Sequence, residues 1–325
     1  MATPPPAGTR RLKDLTDEER DLIRQGERTV DNLKRLFAFV FSLSFASIGA
    51  AAATKLLPIL TGSPPPPVGA WVLNAEMLLV FVVTAGVFFH QSAKFLDNRY
   101  ARHPLSEANW LGFAMDYFTQ VGTAAPFFFM AYAFSPLVTQ KIGYIGFFGF
   151  YVLLLSFGLL LLLLQTLRHS KRIRAFMAEV LAEEELAREG VLRTYWLVMN
   201  SFMLLVILII FQAFVWSGIS CPTSPSANER LPAFLFIFGL LAMVRDFLDY
   251  RWAWPFLYPI KPDTAAKLVN IWPLTSIGNA RQRGRWIVVG CVFVACSFGL
   301  LTGTLKFWDF THWATVCKII HSLPA

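Results

Sequence analysis

The side chains able to do chemistry are few, and several of them sit where charge is costly. Glu76, His90 and Asp116 each interrupt a long apolar run; Asn74 accompanies Glu76, and Gln120 and Thr123 follow Asp116. Ionisable groups at membrane depth usually face the interior of a helix bundle, where they mark ion or proton routes. Carboxylates and an imidazole can exchange protons without leaving a permanently buried charge. Ordered by depth, Glu76, Asp116, Gln120 and His90 form a discontinuous polar track, and Pro126, which lacks a backbone donor, would free carbonyls beside it. That pattern suits transport of a proton or small cation. Asn200 and Gln212 are the polar residues of a later apolar run. The competing reading of all these groups is that they hydrogen-bond between helices and hold a bundle together.

A second constellation occurs twice. Phe95-Leu96-Asp97-Asn98-Arg99-Tyr100-Ala101 returns as Phe247-Leu248-Asp249-Tyr250-Arg251-Trp252-Ala253. At the end of a span, such a segment anchors the chain: Phe and Leu enter the acyl boundary, Arg and the ring reach headgroups, and Asp pairs with a nearby cation. Asp97, Arg99, Asp249 and Arg251 are therefore the expected lipid-headgroup or interfacial residues. Arg245 stands four residues before Asp249 and can pair with it on one helix face. Each copy follows a proline-containing loop, Pro64 to Pro67 in one case and Pro222 with Pro225 in the other. This points to a parallel tandem repeat, a recurrent way of building transporters.

The remaining candidates exclude more than they suggest. Histidines at 90, 103, 169, 312 and 321 form no ligand box, so no metal is expected. Arg168, Lys171 and Arg172 around His169 favour water or headgroups over haem ligation with His90. No phosphate-binding glycine loop or nucleophile elbow is present, so neither a catalytic residue nor a cofactor is implied. Cys221 and Cys317 are expected outside, where an oxidising compartment would permit a disulfide. Cys291 and Cys296 read as small core residues. Gly299 with Gly303, and Ser42 with Ala46 and Ala50, are close-packing surfaces, either within the bundle or between subunits of a homo-oligomer.

The elements that must carry these residues are membrane helices. The chain is 55% hydrophobic and 15% charged, with mean hydropathy +0.51, whereas soluble domains carry roughly a quarter charged residues. A span needs about twenty apolar residues. Candidates run from Phe37 to Leu60, Trp71 to Ala93, Leu111 to Phe134, Tyr144 to Leu167, Tyr195 to Trp216, Pro232 to Val244 (extending to Phe247), and Trp286 to Leu305. The expected fold is an all-α, polytopic transmembrane bundle of about seven spans. Of the 29 Lys and Arg, 24 fall in 1–36, 94–108, 168–193 and 245–285, leaving Lys55, Lys141, Arg230, Lys306 and Lys318. That bias predicts a cytoplasmic N-terminus and an outer C-terminus. It also makes the net charge of +8 a topology signal and not a nucleic-acid patch. The run from Leu159 to Leu164 is apolar on every side, which predicts a fourth helix facing lipid over much of its circumference. The first thirty residues are polar, so no cleavable leader is expected.

Domain organisation follows. Residues 1–36 form a cytoplasmic tail and polar helix, opened by a capping box from Thr16 to Glu19. A four-span unit occupies 37–167, a cytoplasmic helical linker 168–194, a three-span unit 195–305, and an outer tail 306–325. Within the second unit, the inner loop 250–285 concentrates Trp252, Trp254, Phe256, Tyr258 and Trp272 among prolines and basic residues, with a short helix expected from Asp263. So many rings are unfavourable in water, so the loop should lie on anionic headgroups or against a protein partner. The expected location is a bacterial cytoplasmic (inner) membrane. The expected function is a transporter or channel for a proton, cation or small solute. The alternatives are a non-catalytic membrane subunit or scaffold, and an enzyme acting on lipid-linked substrates at the inner leaflet.

Overall fold

The computed structural model describes residues 17–60, 68–100, 110–135, 140–168, 183–216, 225–257 and 273–307. Its helices are α1 (Asp17–Leu60), α2 (Val68–Tyr100), α3 (Trp110–Ala133), α4 (Gln140–Arg168), α5 (Glu183–Trp216), α6 (Pro225–Leu257), α7 (Leu274–Gly278) and α8 (Ala280–Phe307). Among the described residues there are no strands. In hydrocarbon every backbone polar group must be bonded internally, and a helix does this within one segment.

Six helices are long and apolar enough to cross a membrane, through Val30–Leu57, Trp71–Lys94, Gly143–Leu163, Gly190–Ala213, Leu231–Ala253 and Arg281–Thr302. The chain is thus an integral, multi-pass membrane protein. α3 carries a shorter apolar stretch, Val121–Ala133, with Pro126 inside the helix. α1 is one helix of 44 residues, about 66 Å at 1.5 Å per residue. The expected polar tail helix and first span are therefore continuous, and Val30 and Leu33 near their junction are buried.

Packing closes a ring: α1 lies against α2, α2 against α6, α6 against α5, α5 against α4, α4 against α3, and α3 against α1, while α8 leans on α5. Aromatic side chains fill the interior. Phe148 meets Phe211, Phe234 and Phe238 at centroid distances of 5.0, 5.0 and 5.2 Å, and Phe127 meets Phe41 and Phe81 at 4.9 and 5.9 Å. Tilted and edge-on pairs of this kind add to the packing of each ring.

Three expectations change. The apolar stretch of the sixth candidate span is longer than expected, running from Leu231 to Ala253 and taking in Arg245. α4 is only partly outward-facing: it packs between α3 and α5 and buries Leu154, Leu155, Leu159 and Leu161, while Leu153 and Leu160 are exposed. Cys291 and Cys296 are exposed on α8, not in the core, because α8 packs on only one side. On the expected small-residue faces, Gly299 has open space around it, and Ser42, Ala46 and Ala50 are exposed. The capping box and the helix expected from Asp263 lie outside the described residues.

Candidate functional site

The inner face of α6 repeats at helical spacing. Leu235, Phe238, Ala242, Arg245, Asp246, Asp249 and Ala253 are all buried, a 3–4 residue period that places them on one side. Its last turns therefore bring charge into the bundle. Arg245 is 1% exposed, Asp246 0% and Asp249 1%, and burying such groups is unfavourable unless each is paired and hydrogen-bonded.

Each is. Arg245 donates from Nε and Nη2 to Asn200 Oδ1 at 3.0 and 2.7 Å. Its Nη1 donates to Asp246 Oδ1, and Nη2 lies 3.1 Å from Asp249 Oδ2. The other carboxylate oxygens are also occupied: Thr84 Oγ1 donates to Asp246 Oδ2 at 2.5 Å, and Trp196 Nε1 to Asp249 Oδ1 at 2.8 Å. Phe88 covers the guanidinium, its centroid 4.8 Å from Cζ. Tyr195 donates to the Leu248 carbonyl at 3.0 Å and sets its ring edge-on to Trp252. The network ties α2, α5 and α6 together, with two carboxylates facing one guanidinium. Tyr151, whose hydroxyl is buried without a hydrogen-bond partner among the described residues, is within electrostatic range of all three charges.

A second polar point lies further along the same interface. Glu76 is 7% exposed, and among the described residues neither carboxyl oxygen has a hydrogen-bond partner. A β-carbon on Gly239 would come within 2.8 Å of Glu76 Cγ, so the glycine leaves the space that the side chain occupies. Two residues away, Asn74 Oδ1 accepts from Tyr144 of α4 at 2.8 Å. Pairing of Glu76 with Gly239 and of Thr84 with Asp246 shows that α2 and α6 run parallel.

Of the sequence candidates, Glu76 is thus inside, on the α2–α6 contact. His90 is half-buried, its ring 6.4 Å from that of Tyr250. Asp116 and Gln120 belong to α3, Asp97 and Arg99 to α2, but their side chains lie outside the described residues; Thr123 is buried. Cys221 and Cys317 are also outside the described residues. Arg251 is exposed. Asp249 is buried in the bundle, held by Arg245 and Trp196, while Phe247, Tyr250 and Arg251 of its motif are exposed. Its i, i+4 pairing with Arg245 is present. Asp246, Thr84 and Trp196 were not anticipated. The sequence signal for Asp246 is its adjacency to Arg245. Among the described residues, no group of three or more His, Cys, Asp or Glu could hold a metal. No family model, no curated protein and no solved structure matches this chain.

Proposed function

We propose that this protein is a membrane transporter or channel for a proton, cation or small solute, working along the α2–α6 interface. One observation carries the reading: a buried carboxyl, Glu76, with no hydrogen-bond partner for either oxygen among the described residues, set eight residues before the Thr84 that holds Asp246, or about 12 Å along α2. An isolated acid at membrane depth is costly and is characteristic of transport pathways. Asp116, with Gln120, remains the proposed continuation on α3.

Flux into reconstituted vesicles tests this. Purified protein should dissipate an imposed proton or cation gradient, and Glu76→Gln should reduce the rate at least tenfold while the melting temperature changes little. Flux no faster than in protein-free vesicles, across proton and alkali-cation gradients, would end the reading.

The proposal includes α3 as a seventh span, a cytoplasmic N-terminus and a bacterial inner-membrane location. It also includes a parallel repeat relating α1, α2 and α3 to α5, α6 and α8. Matching adjacency supports that repeat, since α1 touches both α2 and α3, as α5 touches both α6 and α8. Anionic headgroups remain the proposed partner of the basic inner segments, and Cys221 with Cys317 a proposed disulfide. A second reading, a non-catalytic membrane subunit, is favoured by the fully bonded Arg245 network, which has the character of a structural clamp. Absence of flux together with stoichiometric copurification of another membrane protein would select it.

A further inference from the structure

The environment of Glu76 narrows the choice of ion. Hard metal cations take about six oxygen ligands from carboxylates, carbonyls and water. The neighbours of Glu76 on the buried face of α2 are Leu73, Met77 and Val80, and those of Gly239 on α6 are Leu235, Phe238 and Ala242. These offer carbon. Asn74 and Tyr144, the polar pair beside the site, are bonded to each other. The side chain also rests against the α6 backbone in the space a β-carbon would take. A proton needs only one oxygen and no shell.

We infer that Glu76 is a proton-exchanging carboxyl and that the species handled at this point of the α2–α6 interface is the proton. The inference rests on the transport reading only for its physiological purpose; the site itself stands on geometry. Titratable groups on the surrounding helices do not neutralise it. Lys55 of α1 sets its ammonium 4.4 Å from the Phe134 ring centroid. Tyr144 and Tyr151 belong to α4, and Asp246 on α6 is held by Thr84 and Arg245. Among the described residues, none forms an ion pair or hydrogen bond with Glu76. A carboxylate left this way in low dielectric is strongly disfavoured relative to the neutral acid.

A neutral carboxyl in an apolar setting has a distinctive reaction with a lipid-soluble carbodiimide. The acid proton moves to a carbodiimide nitrogen as a carboxyl oxygen bonds to the central carbon. Migration of the acyl group to nitrogen then gives a stable N-acylurea. Nothing is oxidised and no atom leaves, so the modified peptide gains the whole mass of the reagent.

The experiment treats the full-length protein in lipid vesicles with dicyclohexylcarbodiimide and maps adducts by peptide mass spectrometry. Glu76 should be modified, at a rate that falls about tenfold per pH unit above its titration point. Sodium, lithium or calcium chloride at fixed pH should leave that rate unchanged beyond a matched choline chloride control. Glu76→Gln should remove the adduct from this peptide. No adduct at Glu76 in protein that melts normally would overturn the inference, as would saturable protection by one metal cation. A pH-dependent adduct without loss of flux in Glu76→Gln would leave the proton site standing and remove the transport role. Flux that depends on Glu76 in protein that takes no adduct would do the reverse.

Discussion

Arg245 shows how a full charge is kept inside this bundle. Its guanidinium forks onto Asn200, Asp246 and Asp249, and the acids take their remaining hydrogen bonds from Thr84 and Trp196. Removing one partner of a buried ion pair leaves the others uncompensated, at about 3–5 kcal/mol. Arg245→Ala should therefore lower the melting temperature in detergent far more than Asn200→Ala does, and Arg245→Lys should not rescue it, since a single ammonium cannot reproduce the planar fork. An Arg245→Ala protein that melts like the wild type would show that the acids are solvated without it. Gly239 makes a separate prediction. Gly239→Ala places a methyl against Glu76, so its destabilisation should shrink by about 1 kcal/mol when combined with Glu76→Ala, as read by a double-mutant cycle. Additive losses would mean that the two residues do not share space.

At the scale of elements, α7 is the shortest helix and is pinned most locally. Leu274 and Ile277 are buried against Val191 and Tyr195, while Ser276 accepts from Trp286 Nε1 and donates to Gln282 Oε1, both at 2.8 Å. This places α7 beside the Tyr195–Trp252 pair, next to the residues that hold Asp249. Truncating a buried Leu to Ala costs about 2–5 kcal/mol where the core is cooperative, but five helical residues can detach alone. Leu274→Ala should accordingly raise hydrogen exchange across 274–286 and leave the global melt nearly unchanged. A uniform rise across α5 and α8 would show that α7 belongs to the main cooperative unit. α8 contributes differently: Gly290 lets it approach α5, where a β-carbon would lie 3.0 Å from Leu197 Cγ, and its opposite side exposes Cys291 and Cys296. In a Cys221→Ser/Cys317→Ser background in vesicles, a lipid-soluble maleimide should label these thiols and a charged, impermeant one should not. Labelling by the charged reagent would place this side of α8 in water.

For the whole molecule, the distribution of Lys and Arg makes the topological prediction: a reporter fused after Ala325 should read as extracytoplasmic and one inserted between Leu181 and Glu189 as cytoplasmic, and finding both on one side would exclude an odd number of spans between them. Membrane insertion was determined by the sequence alone, because lipid imposes a one-dimensional requirement, about twenty apolar residues per crossing, that local composition meets or fails. The position of Glu76 within an apolar run and the spacing that pairs Arg245 with Asp249 were legible for the same reason, since both depend on position along a helix. Which side of each helix faces inward was not. Lipid tails are as apolar as a leucine core, so the Leu159–Leu164 run carries no record of which leucines are buried, and only the fold shows Leu159 and Leu161 inside and Leu160 outside. Arg245, Asp246 and Asp249 read in sequence as a chain leaving the membrane. Only the tertiary structure brings Asn200 and Trp196 from α5 and Thr84 from α2 to meet those charges, and pairing across three helices is what lets α6 bury them inside the bundle.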